Sequence, residues 1–290
     1  MAMLSEIFQK PKSILGRIQL LALPGSPNWE GEWETLTSRA EQEATALATG
    51  GVDGLILENF HDTPYTRGRM DVAGAIAMAM LARKLKQFTN MPIGISVLRN
   101  DPETALAIAL NTHADFIRLP LLSGALITES GVINSRMNEL LHYKNQLKAE
   151  LPPLLVDVSL QHLAPAAKLA TLDHAQTLTH LIQIANDIPE SCQPSALIVS
   201  DQVVKPEWIE AFKSQTNWPV LIEHQHQGQD PDLHFEQADG IILEADIRKA
   251  SALQPGCPPT IDMTRVEEIV NRLRGVKSVS EMDPDIFLKR

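Results

Sequence analysis

Eight short, β-branched apolar runs recur along the chain, each ending in polar or turn residues and each followed by a segment with helical spacing. The runs are Ile14–Leu23, Val52–Phe60, Pro92–Arg99, Ala114–Leu121, Pro153–Leu160, Ser195–Asp201, Pro219–His224 and Ala238–Asp246. Such compact apolar runs fit strands buried on both faces of a parallel sheet. Helical patterns are read over residues 32–49, 71–88, 102–111, 137–149, 173–186, 206–214, a short stretch near Leu233, and 263–273. Asp101 reads as an N-cap, with Pro102 at the first helical position. Eight strand–helix units predict a closed (β/α)8 barrel of the TIM type, whose usual length is ~250 residues. An open doubly wound sheet is the rival, but the glycine-rich dinucleotide loop that usually follows its first strand is missing from this sequence. The expected layout is one barrel over residues 14–275, with an N-terminal extension (1–13) and a C-terminal tail (276–290).

The formal net charge of −11 argues against nucleic acid as a partner, because phosphate backbones need clustered Lys and Arg. The local basic groups, Lys10, Lys12 and Arg17 near one end and Arg272, Arg274 and Lys277 near the other, read as solvated faces. Cys192 and Cys257 have no metal-like spacing and sit in loop contexts, so a reducing compartment is expected and no cofactor is implied. "MAMLSEIFQKPKS" lacks a signal-peptide pattern, and the apolar run Ala73–Ala82 is too short to span a bilayer. A soluble protein without a transmembrane segment is expected, cytoplasmic or at most peripheral to a membrane; a homo-oligomer is compatible with the sequence.

Barrels of this type bind ligands at the C-terminal ends of their strands. Glu58, Asn59 and Asp62 stand at the end of the second run, and Arg99, Asn100 and Asp101 at the end of the third. Arg118 lies within the fourth, Asp157 within the fifth, and His162 in the loop after it. Glu58, Asp157 and His162 are the candidate acid–base groups, and Asn59, Asp62, Arg99, Asn100 and Arg118 the candidate ligand-binding groups. Bland readings stand beside these: Arg118 as an ion-pair partner of Glu58 or Asp157, and His162 as a donor to a loop carbonyl. His224 and His226 have metal-like spacing, but no third ligand is apparent, so no metal site is assigned.

"LALPGSP", "GGVDGLILENFHDTPY", "GISVLRND", "ADFIRL", "SGALITESGVI", "VDVSLQHLAP" and "ADGIILEADIRK" resemble the BtpA family in order and spacing, from about Ile14 to Val270. The resemblance implies a (β/α) barrel. It also implies a role in the biogenesis or stable accumulation of photosystem I, peripheral to the cytoplasmic face of the thylakoid membrane of a cyanobacterium. The implied partners are photosystem I assembly components or another thylakoid protein. Relatives outside photosynthetic organisms are associated with sugar-phosphate or nucleoside processing.

The chain departs from the family pattern at Gln19 (His in the family), Ser96 (Asn), Pro120 (Asn) and Gln161 (Lys). Its seventh unit, "PVLIEHQHQGQD", replaces a Gly-Ser-Gly turn, and Glu244 with Ala245 replaces a Gly-Ser/Thr pair. A phosphate cradle needs glycine backbone amides near a helix N-terminus, whereas Glu223 and Glu244 bring negative charge to that place. The expectation is therefore a diverged, weakly catalytic or non-catalytic BtpA-like factor. The alternatives are a barrel enzyme acting on a phosphorylated sugar or nucleoside, and a small-ligand-sensing barrel without turnover. Whether Glu223 and Glu244 point into the barrel mouth decides how far the phosphate reading survives.

Overall fold

The computed structural model describes residues 4–275 except 123, 129–130, 159–178, 180–181, 184–186, 202–205, 226–234 and 250–257. In chain order the elements are α1 (Leu4–Phe8), β1 (Ser13–Gln19), α2 (Trp33–Thr49), β2 (Gly54–Glu58), α3 (Val72–Thr89), β3 (Ile93–Ser96), α4 (Pro102–Thr112) and β4 (Phe116–Leu119). There follow β5 (Ala125–Thr128), β6 (Gly131–Asn134), α5 (Met137–Leu147), β7 (Leu154–Asp157), β8 (Ala196–Ser200), α6 (Pro206–Gln215), β9 (Val220–His224), β10 (Gly240–Leu243), β11 (Arg248–Lys249), β12 (Thr260–Ile261) and α7 (Met263–Leu273). The strands corresponding to the eight runs close into one parallel barrel in the order β1-β10-β9-β8-β7-β4-β3-β2. The chain is a (β/α)8 barrel, as its alternation predicts.

The strands are shorter than the apolar runs. The first run extends to Leu23, but β1 ends at Gln19, although Leu20 still donates to the Glu58 carbonyl at 2.9 Å. Beyond that point Leu23 is buried in the cluster that the outer faces of the strands form with the helices. Helix starts follow the capping residues. Asp71 accepts from Ala73 N at 2.8 Å, Asp101 from Thr104 N at 3.2 Å, and Asp262 from Thr264 N at 3.1 Å. The Ser/Gly-rich segment 123–135 carries more structure than its composition suggests. Its β-branched residues pair as an antiparallel hairpin, β5–β6. Most of the helix expected at 173–186 lies outside the described residues, as do the one near Leu233, His162 and the tail from 276; residues 179, 182 and 183 are described and helical.

Side chains alternate in and out along each strand, so the barrel interior is built in layers. Its floor is Leu15, Ile56, Phe116, Leu155, Ile198, Leu221 and Ile242, all buried. The expected N-terminal extension contributes to this floor: Leu4 and Phe8 of α1 join the same cluster, with the Phe8 and Phe116 rings edge to face at 5.5 Å. Gly94 faces the Phe116 ring so closely that an added Cβ would sit 2.0 Å from it, so only glycine fits at that inward position. The outward-facing residues of the same strands, such as Ile14, Leu55, Ile95, Val156 and Leu197, pack in the second cluster with apolar residues of the helices.

Candidate functional site: a charged layer in the barrel mouth

Two residues beyond the apolar floor, the inward positions become charged. Leu15 is followed by Arg17, Ile56 by Glu58, Phe116 by Arg118, Leu155 by Asp157, Leu221 by Glu223, and Ile242 by Glu244. Arg17, Glu58, Arg118 and Glu223 are at most 1% exposed. Arg118 forms a fork with Asp157, Nε to Oδ1 at 3.0 Å and Nη2 to Oδ2 at 2.9 Å, and its Nη1 lies 2.7 Å from Glu223 Oε1. Arg17 Nη1 donates to Glu223 Oε1 at 2.9 Å and lies 3.3 Å from Glu58 Oε1, while its Nη2 contacts Glu244. Gln19 donates to Glu244 at 2.6 Å, Ser96 to Glu58 at 2.9 Å, and Gln225 to Glu223 at 2.7 Å. Burial disfavours charge on both guanidiniums, but the surrounding carboxylates outweigh it and raise both pKa values.

This arrangement corrects the reading of Arg17. It is not part of a solvated N-terminal basic face, but one of the two guanidiniums at the centre of the barrel. Lys12 is also engaged, donating to the Phe235 and Glu236 carbonyls at 2.8 and 2.6 Å, and Arg274 pairs with Asp53. The signal for Arg17 was its parity: it shares the inward face of β1 with Leu15 and Gln19. The ion-pair reading of Arg118 agrees with its geometry, with Asp157 as the close partner and Glu58 at 4.0 Å.

A second cluster lies at the ends of β8, β9 and β10. His224 Nδ1 lies 2.8 Å from Asp201 Oδ2, and Nε2 lies 2.9 Å from Asp246 Oδ2. Burial opposes the imidazolium, but the two carboxylates more than compensate, and the His224 pKa is raised. With both ring nitrogens held by carboxylates, His224 has no lone pair directed at a metal. Its expected companion His226 lies outside the described residues. His61, after β2, has the opposite character: burial and the nearby Arg248 and Arg39 lower its pKa to about 4.

The remaining sequence candidates tie loops together. Asn59 Oδ1 accepts from Leu98 N at 2.7 Å, and its amide donates to Asp62 Oδ2 at 2.9 Å. Asp62 Oδ1 accepts from Leu23 N at 2.7 Å; burial raises its pKa despite these hydrogen bonds. Asn59 and Asp62 line a narrow cleft between the β1–α2 and β2–α3 loops, together with Gly25, Ser26, Tyr65 and Leu98. Arg99 places its guanidinium 4.4 Å from the Tyr65 ring centroid. Asn100 donates to the Asn134 carbonyl at 3.0 Å, which anchors the β5–β6 hairpin over β3. Two further ionic knots had no counterpart in the sequence reading. Glu103 joins Arg69 at 3.0 Å and Arg136 at 2.8 Å, and Glu43 joins Arg39 at 2.8 Å and Arg248 at 2.9 Å.

Glu223 and Glu244 therefore do point into the barrel, but with arginine partners. A phosphate entering this layer would have to displace a carboxylate from Arg17 or Arg118, at a large cost in a buried setting. The described side chains make a buried ionic layer in which each guanidinium is paired and carboxylates are in excess, with those of Glu244 and Asp246 nearest solvent.

The fold and site define a (β/α)8 barrel whose strands carry, among the described residues, a buried ion-pair network at their C-terminal ends. The model of the BtpA family matches residues 10–275, and the chain belongs to that family. It is 33% identical over 96% of its length, and 94% of the relative, to the "Photosystem I biogenesis protein BtpA" of Synechocystis sp.. An uncharacterised protein of Methanocaldococcus jannaschii is 27% identical over 92% of this chain and 97% of its own. Among solved structures, N-(5'-phosphoribosyl)anthranilate isomerase from Pyrococcus furiosus superimposes with a TM-score of 0.53 at 10% identity, covering 91% of this chain and 100% of that one, a likeness of fold alone.

Proposed function

We propose that this chain is a BtpA-type factor for the biogenesis or stable accumulation of photosystem I, and that it acts by binding rather than by turning over a phosphorylated substrate. The relative named for that role is similar over nearly the full length of both chains. The observation that carries the non-catalytic half of the proposal is the excess of carboxylates in the inner mouth, where Glu58, Asp157, Glu223 and Glu244 face the guanidiniums of Arg17 and Arg118. Arg17 and Arg118, the guanidiniums a phosphate would need, are each held by carboxylates, two of them Glu223 and Glu244. Asp157, a candidate general base, is the bidentate partner of Arg118. The proposed partners are photosystem I assembly components or another thylakoid protein, met at the cytoplasmic face of the thylakoid membrane. Among the described residues no helix is long and apolar enough to cross a membrane.

Deleting the gene in its host and following photosystem I reaction-centre proteins by immunoblot tests the role. Levels fall in the deletion and return with the restored gene; unchanged levels refute it. Calorimetry with ribose 5-phosphate tests the non-catalytic half, with no binding expected. Tight binding abolished by Arg118→Ala would replace this reading with that of an enzyme on a phosphorylated sugar or nucleoside.

A further inference from the structure

The base of the barrel, where the strands begin, repeats one device at every second strand. Asp53, just before β2, donates its amide to the Ile14 carbonyl and accepts from Ile14 N with its carboxylate, both at 2.7 Å. Asp115, before β4, grips Ile93 in the same way, with both bonds at 2.8 Å. Asp239, before β10, grips Val220 at 2.8 and 2.9 Å. Each of these carboxylates also meets a cation, from Arg274, Lys86 and Lys213 respectively. The fourth position, before β8, is Ser195. Its amide donates to the Leu154 carbonyl at 2.8 Å, but a hydroxyl replaces the carboxylate and lies 3.3 Å from Leu154 N. Among the described residues Ser195 has no cationic partner.

The alternate junctions lack the device. Pro92, Pro153 and Pro219 precede β3, β7 and β9 and offer their carbonyls to Leu55, Ile117 and Leu197 at 2.9 Å. Proline brings neither an N–H nor a side-chain acceptor, so a second bond cannot form there. Where the barrel closes, Ser13 donates its amide to the Asp239 carbonyl at 3.2 Å, and its hydroxyl has no hydrogen-bond partner among the described residues. At the base, then, a strand pair clamped at two points alternates with a pair joined at one.

We infer that the barrel opens by quarters, β1–β2, β3–β4, β7–β8 and β9–β10, and that the β7–β8 quarter opens first, from its base. Local opening follows cooperative units that coincide with supersecondary motifs. Hydrogen bonds to charged groups are about twice as strong as neutral ones, so the hydroxyl clamp holds less firmly than the three carboxylate clamps. The far end of β7 is fixed by the fork between Asp157 and Arg118. The opening therefore hinges at the mouth and parts Leu154 from Ser195 at the base. The buried thiol of Cys192, in the segment leading to Ser195, is the group that it uncovers. This device lies in the barrel wall, and the inference is independent of the photosystem I reading.

Hydrogen exchange of the full chain at low urea, read by mass spectrometry of peptides from each strand, tests the proposal. The β7 and β8 peptides exchange ahead of those from the other barrel strands, by an opening that depends only weakly on urea. Ser195→Ala speeds β7 and β8 about fivefold, the effect of one neutral hydrogen bond, and leaves the other quarters unchanged. Asp115→Ala speeds β3 and β4 by about tenfold or more, because its bond is charge-assisted, and leaves β7 and β8 unchanged. On a Cys257→Ser background, dithionitrobenzoate labels Cys192 through the same opening, and Ser195→Ala speeds the labelling by the same factor. Wild-type strands that all exchange together, or a different pair that exchanges first, overturn the inference. So does a Ser195→Ala effect spread evenly round the barrel, or a Cys192 thiol that reacts only on global unfolding.

Discussion

The floor and the mouth of this barrel occupy the same strands, two residues apart, and are stabilised by opposite means. The floor is a dry layer of aliphatic and aromatic side chains, closed from below by Leu4 and Phe8. It gains from removing apolar surface from water, roughly in proportion to the area that each side chain buries. The mouth layer consists of Arg17, Glu58, Arg118, Asp157, Glu223 and Glu244, whose desolvation is costly unless each charge keeps its partners. Stability in the first layer is spread over many contacts, and in the second it is conditional on completeness. A ligand site for an anion needs cations left wanting a partner, whereas in the inner mouth of this barrel both guanidiniums are paired and the surplus is of carboxylates.

The largest expected effect breaks that completeness. Arg118→Met leaves Asp157 buried without its guanidinium and Glu223 with Arg17 alone, and is expected to cost about 3–5 kcal/mol in urea unfolding. The double variant Arg118→Met/Asp157→Leu removes the bidentate pair together and should be less destabilised than the sum of its two single variants, which a double-mutant cycle measures. Additive losses would mean that the network is not a unit. In the floor, Leu221→Ala should cost about 3 kcal/mol through its cavity. Paired with Leu106→Ala on α4, in the separate core cluster outside the barrel, it should be close to additive, in contrast to the mouth.

The alternation of short apolar runs and helical segments made the barrel legible, because the parallel barrel imposes that periodicity on the whole chain. Helix caps such as Asp101 were legible because capping is local. The interior of the mouth was legible only in part. Arg118 and Asp157 stand out as charges inside apolar runs, and Glu223 and Glu244 as replacements of glycine or serine. Arg17 was hidden by two basic neighbours, Lys10 and Lys12, which suggested a surface cluster. Its inward parity becomes decisive only once β1 is known to begin at Ser13. Which carboxylate meets which guanidinium depends on register across strands distant in sequence, such as β1 and β10. No local pattern encodes that.

Two histidines offer a pH version of the contrast between groups that are matched and groups that are merely enclosed. His224 has a raised folded-state pKa, so its contribution is fully present below the unfolded value near 6.5 and is lost as pH rises through the folded pKa. The stability gap between the wild-type chain and His224→Gln should therefore be widest near pH 5 and narrow above neutrality. His61, with a folded-state pKa of about 4 against an ordinary 6.5, works in the opposite sense. The unfolded chain takes up a proton between those values and the folded chain does not, so stability falls as pH drops through that window. Solvent screening reduces the effect to about 2 kcal/mol. His61→Gln should flatten this acid-side loss, as measured by urea midpoints from pH 4 to pH 7. A His61 effect that grows on the alkaline side would reverse the assignment.

The smallest effect separates a structural carboxylate from a ligand-binding one at the rim. Asp101 divides its oxygens between two backbone amides, Oδ1 accepting from Thr104 and Oδ2 from Met70 at 2.7 Å. Asn is nearly as good an N-cap as Asp, so Asp101→Asn keeps the bond that starts α4. It presents an amide where Met70 N–H needs an acceptor, so it should lose about 1 kcal/mol, the worth of one ordinary hydrogen bond. Asp101→Ala gives up both bonds and should lose about twice that. This graded series, read by urea midpoints, is what a residue joining α4 to the loop before α3 should give. A neutral Asp101→Asn would mean that neither the Met70 contact nor the Arg136 guanidinium 3.7 Å away adds anything, and that the cap of α4 is the whole role of this carboxylate.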